Sequence, residues 1–478
     1  MAIPPKFKSL IADPLVLLLA AGIAARWFLL GDGSLTIDEI GTLVIARQPL
    51  PDLIPYTLHL GFNPPLFNFF TSLWQTLGEG ALWLRSLPFI FSAAALAAYR
   101  IFCRDFFSAD AGGGAAAARL AMLLGAFSPF WINLGQQFRM YSLFLFLAIL
   151  ANHLFLKILR GSAAPRHRAA YGVVLLLGLY THYYFGFVWA AQGLTTLFFV
   201  KEGRGRLVLT QIGAMLAFLP WLAVGIKAVG VVSGVQSMDW SSPFTFLGNF
   251  LLGWGTVDML IPRWLAAAGL LGFCAAAAGL WRLKARRAEL LLALLHLALP
   301  LLSVPVLELL TGNSFSMPRY WLFITPFYYL LLASAVEGLA GWRRSAARVV
   351  LAAAVAGGLC AYYILKIKVD PFFVPAARRI EQVTRPGALV LHTSAYWYMP
   401  LKYYYAPGFR HCILASEGEE NGFLATGWLP DHCVIRSLKD PGLAAEPFLL
   451  VDPYRKVSGQ LLSPASRGTL AAAALLPQ

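Results

Sequence analysis

Residues 136–160 read QQFRMYSLFLFLAILANHLFLKILR and contain the pattern that decides the fold. A polar cluster is followed by a long apolar run, and the run ends at Lys157 and Arg160. Such a segment is typical of a membrane-spanning helix whose basic end lies in the cytoplasm. The composition agrees, because 59% of the residues are hydrophobic and only 13% are charged, whereas soluble proteins are about half apolar and about a quarter charged. The sequence therefore predicts an integral membrane protein.

The basic residues indicate how the chain is threaded through the membrane. The formal net charge is +15, but the Lys and Arg residues lie in small groups between apolar segments rather than in one basic domain. This arrangement is typical of cytoplasmic loops and argues against a nucleic-acid partner. Lys6 and Lys8 precede the first apolar run, at about 11–30, which is long and lacks a small-residue cleavage site. We therefore expect a retained first span with a cytoplasmic N-terminus.

Alternating basic and polar loops predict a polytopic all-α bundle of about eleven spans. Beyond the first, the spans are expected at about 86–103, 119–135 and 141–157, with two short spans within 169–200, one leading out to 227–262, one returning to Arg282, one ending before Asn313, one ending at Arg343, and one at about 347–365. Residues 63–77 are apolar but short, which predicts an interfacial or re-entrant helix within an outer loop at 31–85. The expected transmembrane domain is 1–366.

The remaining residues, 367–478, differ in texture and predict a small extracytoplasmic α/β domain. Helical periodicity at 376–383, a turn at 385–387 and a strand at 388–392 are followed by further short segments that Pro and Gly separate. Cys412 and Cys433 both lie in this region. Cysteines outside the cytoplasm can form a disulfide, although spacing alone does not establish that these two do so.

Asp38 and Glu39 lie just beyond the first span, and two readings of this pair stay open. Adjacent carboxylates can supply a general base and a positioning or metal-binding group. The dipeptide alone favours the other interpretation, the first turn of a helix that Thr36 caps, because carboxylates there interact favourably with the helix dipole.

Other candidate residues come from four separate stretches expected on the same outer face. An arginine at a span end commonly reaches lipid headgroups, tyrosines commonly form interfacial belts, and an Asn-Pro-Pro sequence commonly starts a helix. An ionisable residue in a tight turn between spans is a functional candidate. The candidates are His59 and Asn63; Gln137, Arg139 and Tyr141; His182 and Tyr183; and Arg319 and Tyr320. Together they predict a site for an anionic, lipid-linked substrate.

With these motifs in place, the chain resembles the GT-C class of membrane glycosyltransferases, specifically the bacterial dolichyl-phosphate-mannose–protein mannosyltransferase-like and aminoarabinose-transferase-like group. The resemblance rests on the order of motifs over about 30–340: Asp38-Glu39, Asn63-Pro64-Pro65, Leu84-Arg85-Ser86-Leu87-Pro88, Ser128-Pro129, QQFRMY at 136–141, Thr181-His182-Tyr183 and Pro318-Arg319-Tyr320. Two positions depart from the group: Asn63 stands where relatives often have Lys or His, and Gln137 stands where many have Glu.

The resemblance implies an inverting transferase in the bacterial cytoplasmic membrane. Its donor would be a polyprenyl-phosphate-linked sugar, its acceptor a hydroxyl of a glycan, lipid or protein, and its surroundings membrane lipids. Asp38 would be the catalytic base, Glu39 would position it, and Arg139 and Arg319 would bind the phosphate. No cofactor is certain: a divalent metal stays open, although Gln137 puts a carboxylate-dependent metal site in doubt.

Two rival functions compete with this one, and a non-catalytic scaffold is a further alternative. A transporter or flippase of lipid-linked sugars would favour inverted repeats and ionisable residues near mid-membrane, and the sequence shows neither. A polysaccharide polymerase or ligase would use a pyrophosphate-linked lipid and a different basic set.

Overall fold

The computed structural model describes residues 13–58, 63–110, 113–161, 164–229, 242–253, 263–311, 316–369, 373–383, 385–393, 395–414, 433–435 and 448–451. The helices of the bundle and of its outer loop are α1 (Pro14–Trp27), α2 (Ile37–Ala46), α3 (Leu50–Tyr56), α4 (Leu66–Trp74), α5 (Ala81–Phe107), α6 (Gly114–Phe127), α7 (Pro129–Gly135), α8 (Tyr141–Leu159), α9 (Pro165–Leu179), α10 (Phe185–Phe199), α11 (Arg204–Val229), α12 (Ser242–Leu252), α13 (Arg263–Arg282), α14 (Arg287–Thr311), α15 (Thr325–Glu337) and α16 (Gly341–Val369). Short 3-10 helices cover Gln75–Leu77 and Pro318–Ile324.

Many of these helices are long and apolar enough to cross a bilayer. Among the described residues, seven qualify by length and composition: Ala81–Phe107, Tyr141–Leu159, Arg204–Gly225, Trp264–Arg282, Arg287–Thr311, Pro318–Glu337 and Gly341–Ile367. The pair α6 and α7, bent by 47° at Ser128, makes an eighth if it is one broken span. A helix satisfies its own backbone hydrogen bonds, which a spanning segment must do in lipid. The predicted multi-pass all-α bundle is confirmed.

The predicted number of eleven spans is not confirmed. The three additional predicted spans fall on α1, α9 and α10, which have 14, 15 and 15 residues. At about 1.5 Å per residue these helices are roughly 21–23 Å long, shorter than the ~30 Å hydrocarbon core. Basic loops predicted the direction of each segment, but they carry no information about helix length.

The outer loop between α1 and α5 folds into three short helices. α2 packs against α4, and the Asn68 amide of α4 donates to the Thr57 hydroxyl that follows α3 (2.9 Å). The predicted short helix after Asn63-Pro64-Pro65 is present as α4, which begins immediately after the prolines. The loop is therefore an ordered platform on the bundle.

A fully buried arginine, Arg26, closes the bundle beneath this platform. Its guanidinium donates to the Gly125 and Ala126 carbonyls (2.9 and 2.7 Å), to its own helix at Gly22, and to the Ser92 hydroxyl. The last carbonyls of a helix have no partner within that helix. Arg26 thus satisfies the carbonyl groups that become free where α6 ends, next to the bend at Ser128.

The described residues after α16 form short helices and a small sheet, as predicted for a small α/β domain. Its elements are α17 (Phe373–Val383), β1 (Leu389–His392), α18 (Ala395–Pro400), a π-helical turn at Leu401–Tyr405, β2 (Arg410–Leu414), β3 (Val434–Ile435) and β4 (Phe448–Val451). The described strands form one parallel sheet in the order β3-β2-β1-β4. A disulfide joins Cys412 to Cys433, so the pairing that the sequence left open is present. The predicted division at 366/367 lies in the last turn of α16.

This domain is called the outer domain below, after the side of the membrane that the basic residues of the sequence predict for it. It is attached to the platform through its tyrosine-rich turn. The Tyr404 hydroxyl donates to the Glu79 carbonyl (2.8 Å), and the Arg47 guanidinium donates to the Tyr403 carbonyl (2.8 Å). The backbone N–H of Leu35 donates to the Tyr405 hydroxyl. The turn therefore rests on the segment that leads into α2.

Candidate active site

The site is built around the first turn of α2. Thr36 caps this helix: its hydroxyl accepts from the Glu39 N–H (3.3 Å), and the Glu39 carboxylate accepts from the Thr36 N–H (2.8 Å). This reciprocal arrangement is a capping box. The prediction that Asp38 and Glu39 lie in the first turn of a helix capped by Thr36 is therefore correct. Because the two carboxylates leave the turn in different directions, they have different surroundings.

Glu39 is enclosed and fully committed to structural contacts. It has no exposed surface, and the buried Arg85 guanidinium of α5 makes a two-pronged ion pair with it (2.9 and 3.1 Å). The backbone N–H of Phe138 also donates to it (2.8 Å). Burial raises the pKa of the Glu39 carboxyl, but Arg85 and these hydrogen bonds outweigh burial and lower it. Glu39 thus holds the platform, α5 and the α7–α8 turn together.

Asp38 instead faces two arginines and keeps part of its surface accessible. Its Oδ2 lies 3.0 Å from Nη1 of Arg319, and about a third of its side chain is exposed. Arg139 donates to the Asp38 carbonyl (3.3 Å) and to the Thr42 hydroxyl (2.9 Å). Burial raises the pKa of the Asp38 carboxyl, but the charges of Arg319 and Arg139 prevail and lower it. Asp38 is therefore an ionised carboxylate at neutral pH.

The two guanidinium groups share one aromatic surface. The Tyr141 ring centroid lies 6.0 Å from Cζ of Arg139 and 5.9 Å from Cζ of Arg319, and the Tyr320 ring lies 5.8 Å from Cζ of Arg319. Cations over aromatic rings are stabilised by the ring quadrupole. The rings therefore allow two like charges to remain close together beside a single carboxylate.

His182 contributes a neutral donor next to these cations. Its ring stacks on Phe144 (centroids 4.6 Å apart) and contacts Tyr320 (5.3 Å). Its Nδ1 accepts from the Tyr184 N–H (3.1 Å), so the proton of the neutral ring is on Nε2. Burial, followed by the charges of Arg139 and Arg319, lowers the pKa of His182 to about 3. The buried Nε2 has no hydrogen-bond partner among the described residues.

The structure thus brings Asp38, Arg139, Tyr141, His182, Arg319 and Tyr320 together, with Glu39 directly beneath them. Below, "the arginine pocket" denotes the space bounded by Asp38, Arg139, His182 and Arg319.

The other predicted site residues lie elsewhere or at the edge. The Tyr183 hydroxyl accepts from the Trp221 indole N–H of α11 (3.2 Å). The Gln137 amide donates to Asn133 (3.3 Å). Asn63 precedes α4, whose Leu66 N–H donates to the Tyr180 carbonyl, in the turn that carries His182 (3.0 Å). His59 lies outside the described residues.

Two residues of the site were missed as functional candidates. Arg85 is not among the predicted site residues, although the positive-inside rule does not explain an arginine at the predicted outer end of a span, which is therefore a candidate for a structural or chemical role. Tyr184, whose backbone N–H fixes the His182 tautomer, was not predicted because tyrosines near span ends are commonly part of interfacial aromatic belts. Gln136, Gln137's neighbour, proves structural: its amide donates to the Arg26 and Phe28 carbonyls (2.8 Å each).

The donor set does not suit a divalent cation. Among the described residues, no group of three or more His, Cys, Asp or Glu side chains could hold a metal. Glu39 is occupied by Arg85, and Asp38 stands beside two guanidinium groups, which repel a cation. The residues around Asp38 therefore do not fit a bound divalent cation.

The bundle with its outer platform and small outer domain has the GT-C fold, the architecture of a class of membrane glycosyltransferases. No protein-family model and no curated protein matches the sequence. Among solved structures, the aminoarabinose transferase ArnT from Cupriavidus metallidurans is similar in its apo state, with a TM-score of 0.61 and 15% identity over 96% of this chain and 94% of that chain. ArnT bound to undecaprenyl phosphate gives a TM-score of 0.62 and 15% identity over 98% and 96%. The predicted GT-C fold is thus confirmed.

Proposed function

We propose that this chain is an inverting glycosyltransferase that transfers a sugar from a polyprenyl-phosphate donor to a hydroxyl acceptor at the outer face of the bacterial cytoplasmic membrane. The observation that carries the proposal is the arginine pocket, in which an ionised carboxylate, two arginines and a neutral imidazole donor meet. A phosphate needs the cations and the donor, and a hydroxyl nucleophile needs the carboxylate.

The similarity to ArnT supports the choice of donor. That protein was solved with undecaprenyl phosphate, and its fold matches this chain over almost the full length of both. At 15% identity the similarity concerns the fold, so the chemistry of the proposal comes from the residues in the pocket.

The phosphate of the donor would be bound by Arg139 and Arg319. Guanidinium groups bind phosphate through paired charge-assisted hydrogen bonds. The Nε2–H of His182 supplies a further donor, and because the ring stays neutral it adds no charge to the pocket. These groups are already in place before charge develops on the leaving phosphate, so they stabilise the transition state without reorganisation.

Asp38 would act as the base. Its carboxylate accepts the proton of the acceptor hydroxyl as that oxygen forms a bond to the anomeric carbon. The bond from this carbon to the phosphate oxygen breaks, and polyprenyl phosphate leaves with the bonding electron pair. A single displacement inverts the configuration at the anomeric carbon. Asp38 is paired with Arg319 in the structure. The donor phosphate would compete for Arg319 and so release the Asp38 carboxylate to accept the proton of the acceptor hydroxyl.

The test is transfer from a panel of polyprenyl-phosphate sugars by purified protein in nanodiscs, with the products identified by mass spectrometry. We expect Arg139→Gln and Arg319→Gln to raise the KM for the donor and to lower kcat. Arg378→Gln is the matched control, because Arg378 is an exposed arginine on α17 of the outer domain. Transfer that requires a diphosphate-linked donor, or that is unaffected in both pocket variants, would overturn the proposal.

A further inference from the structure

A second polar cavity lies at the opposite end of the bundle from Asp38. It has a volume of about 420 Å³. Phe107, at the far end of α5, lines it, whereas Arg85, near the start of α5, contacts Glu39. These two residues are 22 positions apart, or roughly 33 Å along a helix at ~1.5 Å per residue. The cavity and the arginine pocket therefore lie at opposite membrane boundaries.

The cavity is formed where several spans end. Its polar lining comes from the α5–α6 connection, the end of α13, the end of α15 and the start of α16, and includes Asp110, Arg282, Ser334, Glu337 and Arg344. Gly338 also lines it, and a Cβ at that position would lie 2.2 Å from Nη1 of Arg282. The absence of a side chain at Gly338 thus lets the Arg282 guanidinium lie against the end of α15.

The charges in the lining do not cancel. Asp110 pairs with Arg286 (3.3 Å), and Glu337 pairs with Arg348. Arg282 and Arg344 make no ion pair with a carboxylate within the described ranges. Both carboxylates of the lining are therefore neutralised by arginines outside it, and two guanidinium charges are left facing the cavity.

We propose that this cavity binds the phosphate headgroup of an anionic phospholipid from the leaflet opposite the arginine pocket. Two guanidinium groups are suited to one phosphate, and basic cavities between spans at a membrane boundary typically hold anionic headgroups. The same boundary carries the basic loops that the positive-inside rule assigns to the cytoplasm, where anionic lipids attract them. The site is independent of glycosyl transfer. A bound headgroup would contact the adjacent ends of α5, α13, α15 and α16.

The test measures binding of a defined phospholipid to the full-length protein in detergent by native mass spectrometry, together with thermal unfolding. The probes are phosphatidylglycerol, phosphatidylcholine and inorganic phosphate. We expect phosphatidylglycerol to bind and to raise the unfolding temperature, and phosphatidylcholine to do neither. The double variant Arg282→Gln/Arg344→Gln is expected to bind phosphatidylglycerol roughly 30-fold more weakly, from about fivefold per arginine near an anionic surface.

Three further variants sharpen the result. Arg282→Lys/Arg344→Lys keeps both charges and is expected to retain most of the binding, since Lys also binds phosphate, as a point charge. Gly338→Ala displaces the Arg282 guanidinium and is expected to weaken binding. Arg343→Gln removes an exposed charge outside the cavity lining on the same boundary and is expected to leave binding unchanged. Undiminished phosphatidylglycerol binding in the double Gln variant, or equal stabilisation by inorganic phosphate alone, overturns the proposal.

Discussion

Asp38 and Glu39 are neighbours with the same functional group, and the structure predicts opposite consequences when each is neutralised. Asp38→Asn should abolish most of the transfer activity while leaving the fold intact. Glu39→Gln should destabilise the protein first, and lower activity as a result. The difference arises because Asp38 is about a third exposed and paired with Arg319, whereas Glu39 is enclosed and paired with Arg85.

The magnitudes follow from these contacts. Loss of a general base typically lowers the rate by about 10²–10⁴-fold, which corresponds to about 3–5 kcal/mol in the activation free energy. The partly exposed pair of Asp38 with Arg319 contributes at most about 1 kcal/mol to the free energy of unfolding. Removing the charge of Glu39 leaves Arg85 buried without a counter-ion, and breaking such a pair costs about 3–5 kcal/mol.

The assay combines kcat/KM for sugar transfer with thermal unfolding of each variant in the same nanodiscs. Thr42→Val is a useful third variant, because it removes the hydroxyl that accepts from Arg139 without touching either carboxylate. The roles assigned to Asp38 and Glu39 are wrong if Asp38→Asn unfolds like a core variant, or if Glu39→Gln is as stable as the wild type and inactive. Either result would exchange the roles assigned to the two residues.

Three further predictions concern pH and covalent structure. In Arg319→Gln, burial raises the pKa of Asp38 against the charge of Arg139 alone, so the acidic limb of the pH profile of kcat/KM should move to higher pH. In the outer domain, His392 Nε2 and His411 Nδ1 are 2.8 Å apart, and both rings are buried. Burial lowers the pKa of both histidines, that of His411 to about 4. Because unfolded histidines bind protons below about pH 6.5, the free energy of unfolding of this domain should be highest above that pH and decrease toward pH 4. Hydrogen exchange at pH 7 and pH 5 would measure this change. Cys412→Ser opens a loop with a sequence separation of 21 and should cost about 3 kcal/mol, measurable as faster proteolysis of the outer domain; unchanged proteolysis would contradict this.

Local patterns predicted most of the secondary structure and several of the residues that the structure brings together around Asp38. Apolar runs located the spanning helices, prolines located the start of α4, and Thr36 located the start of α2. The sequence allowed two interpretations of Asp38-Glu39, and the structure agrees with parts of both. Both residues lie in the first turn of α2, and Asp38 also contacts the predicted arginines. These features were predictable because each depends on residues close in sequence.

Features that depend on distant contacts were not predictable. Glu39 has a structural role and Asp38 is left accessible because Arg85, 46 positions after Glu39, pairs with Glu39. The His182 tautomer depends on a backbone N–H of its own turn, but its low pKa depends on burial and on two arginines from other parts of the chain. Periodicity describes one helix at a time and contains no information about which helix ends meet.

The buried Arg26 fixes an order in biogenesis. When α1 is synthesised, the partners that Arg26 will contact at Gly125 and Ala126 are 99 and 100 residues further along the chain and still to be synthesised. An arginine near the end of an apolar helix that lacks its partners can extend to the headgroup region, because an unpaired charge within the hydrocarbon costs several kcal/mol. The Gly125 and Ala126 carbonyls become available to Arg26 only once α6 has formed and ended at Ser128. The contacts that bury Arg26 therefore depend on the bend between α6 and α7, a feature about a hundred residues further along the chain.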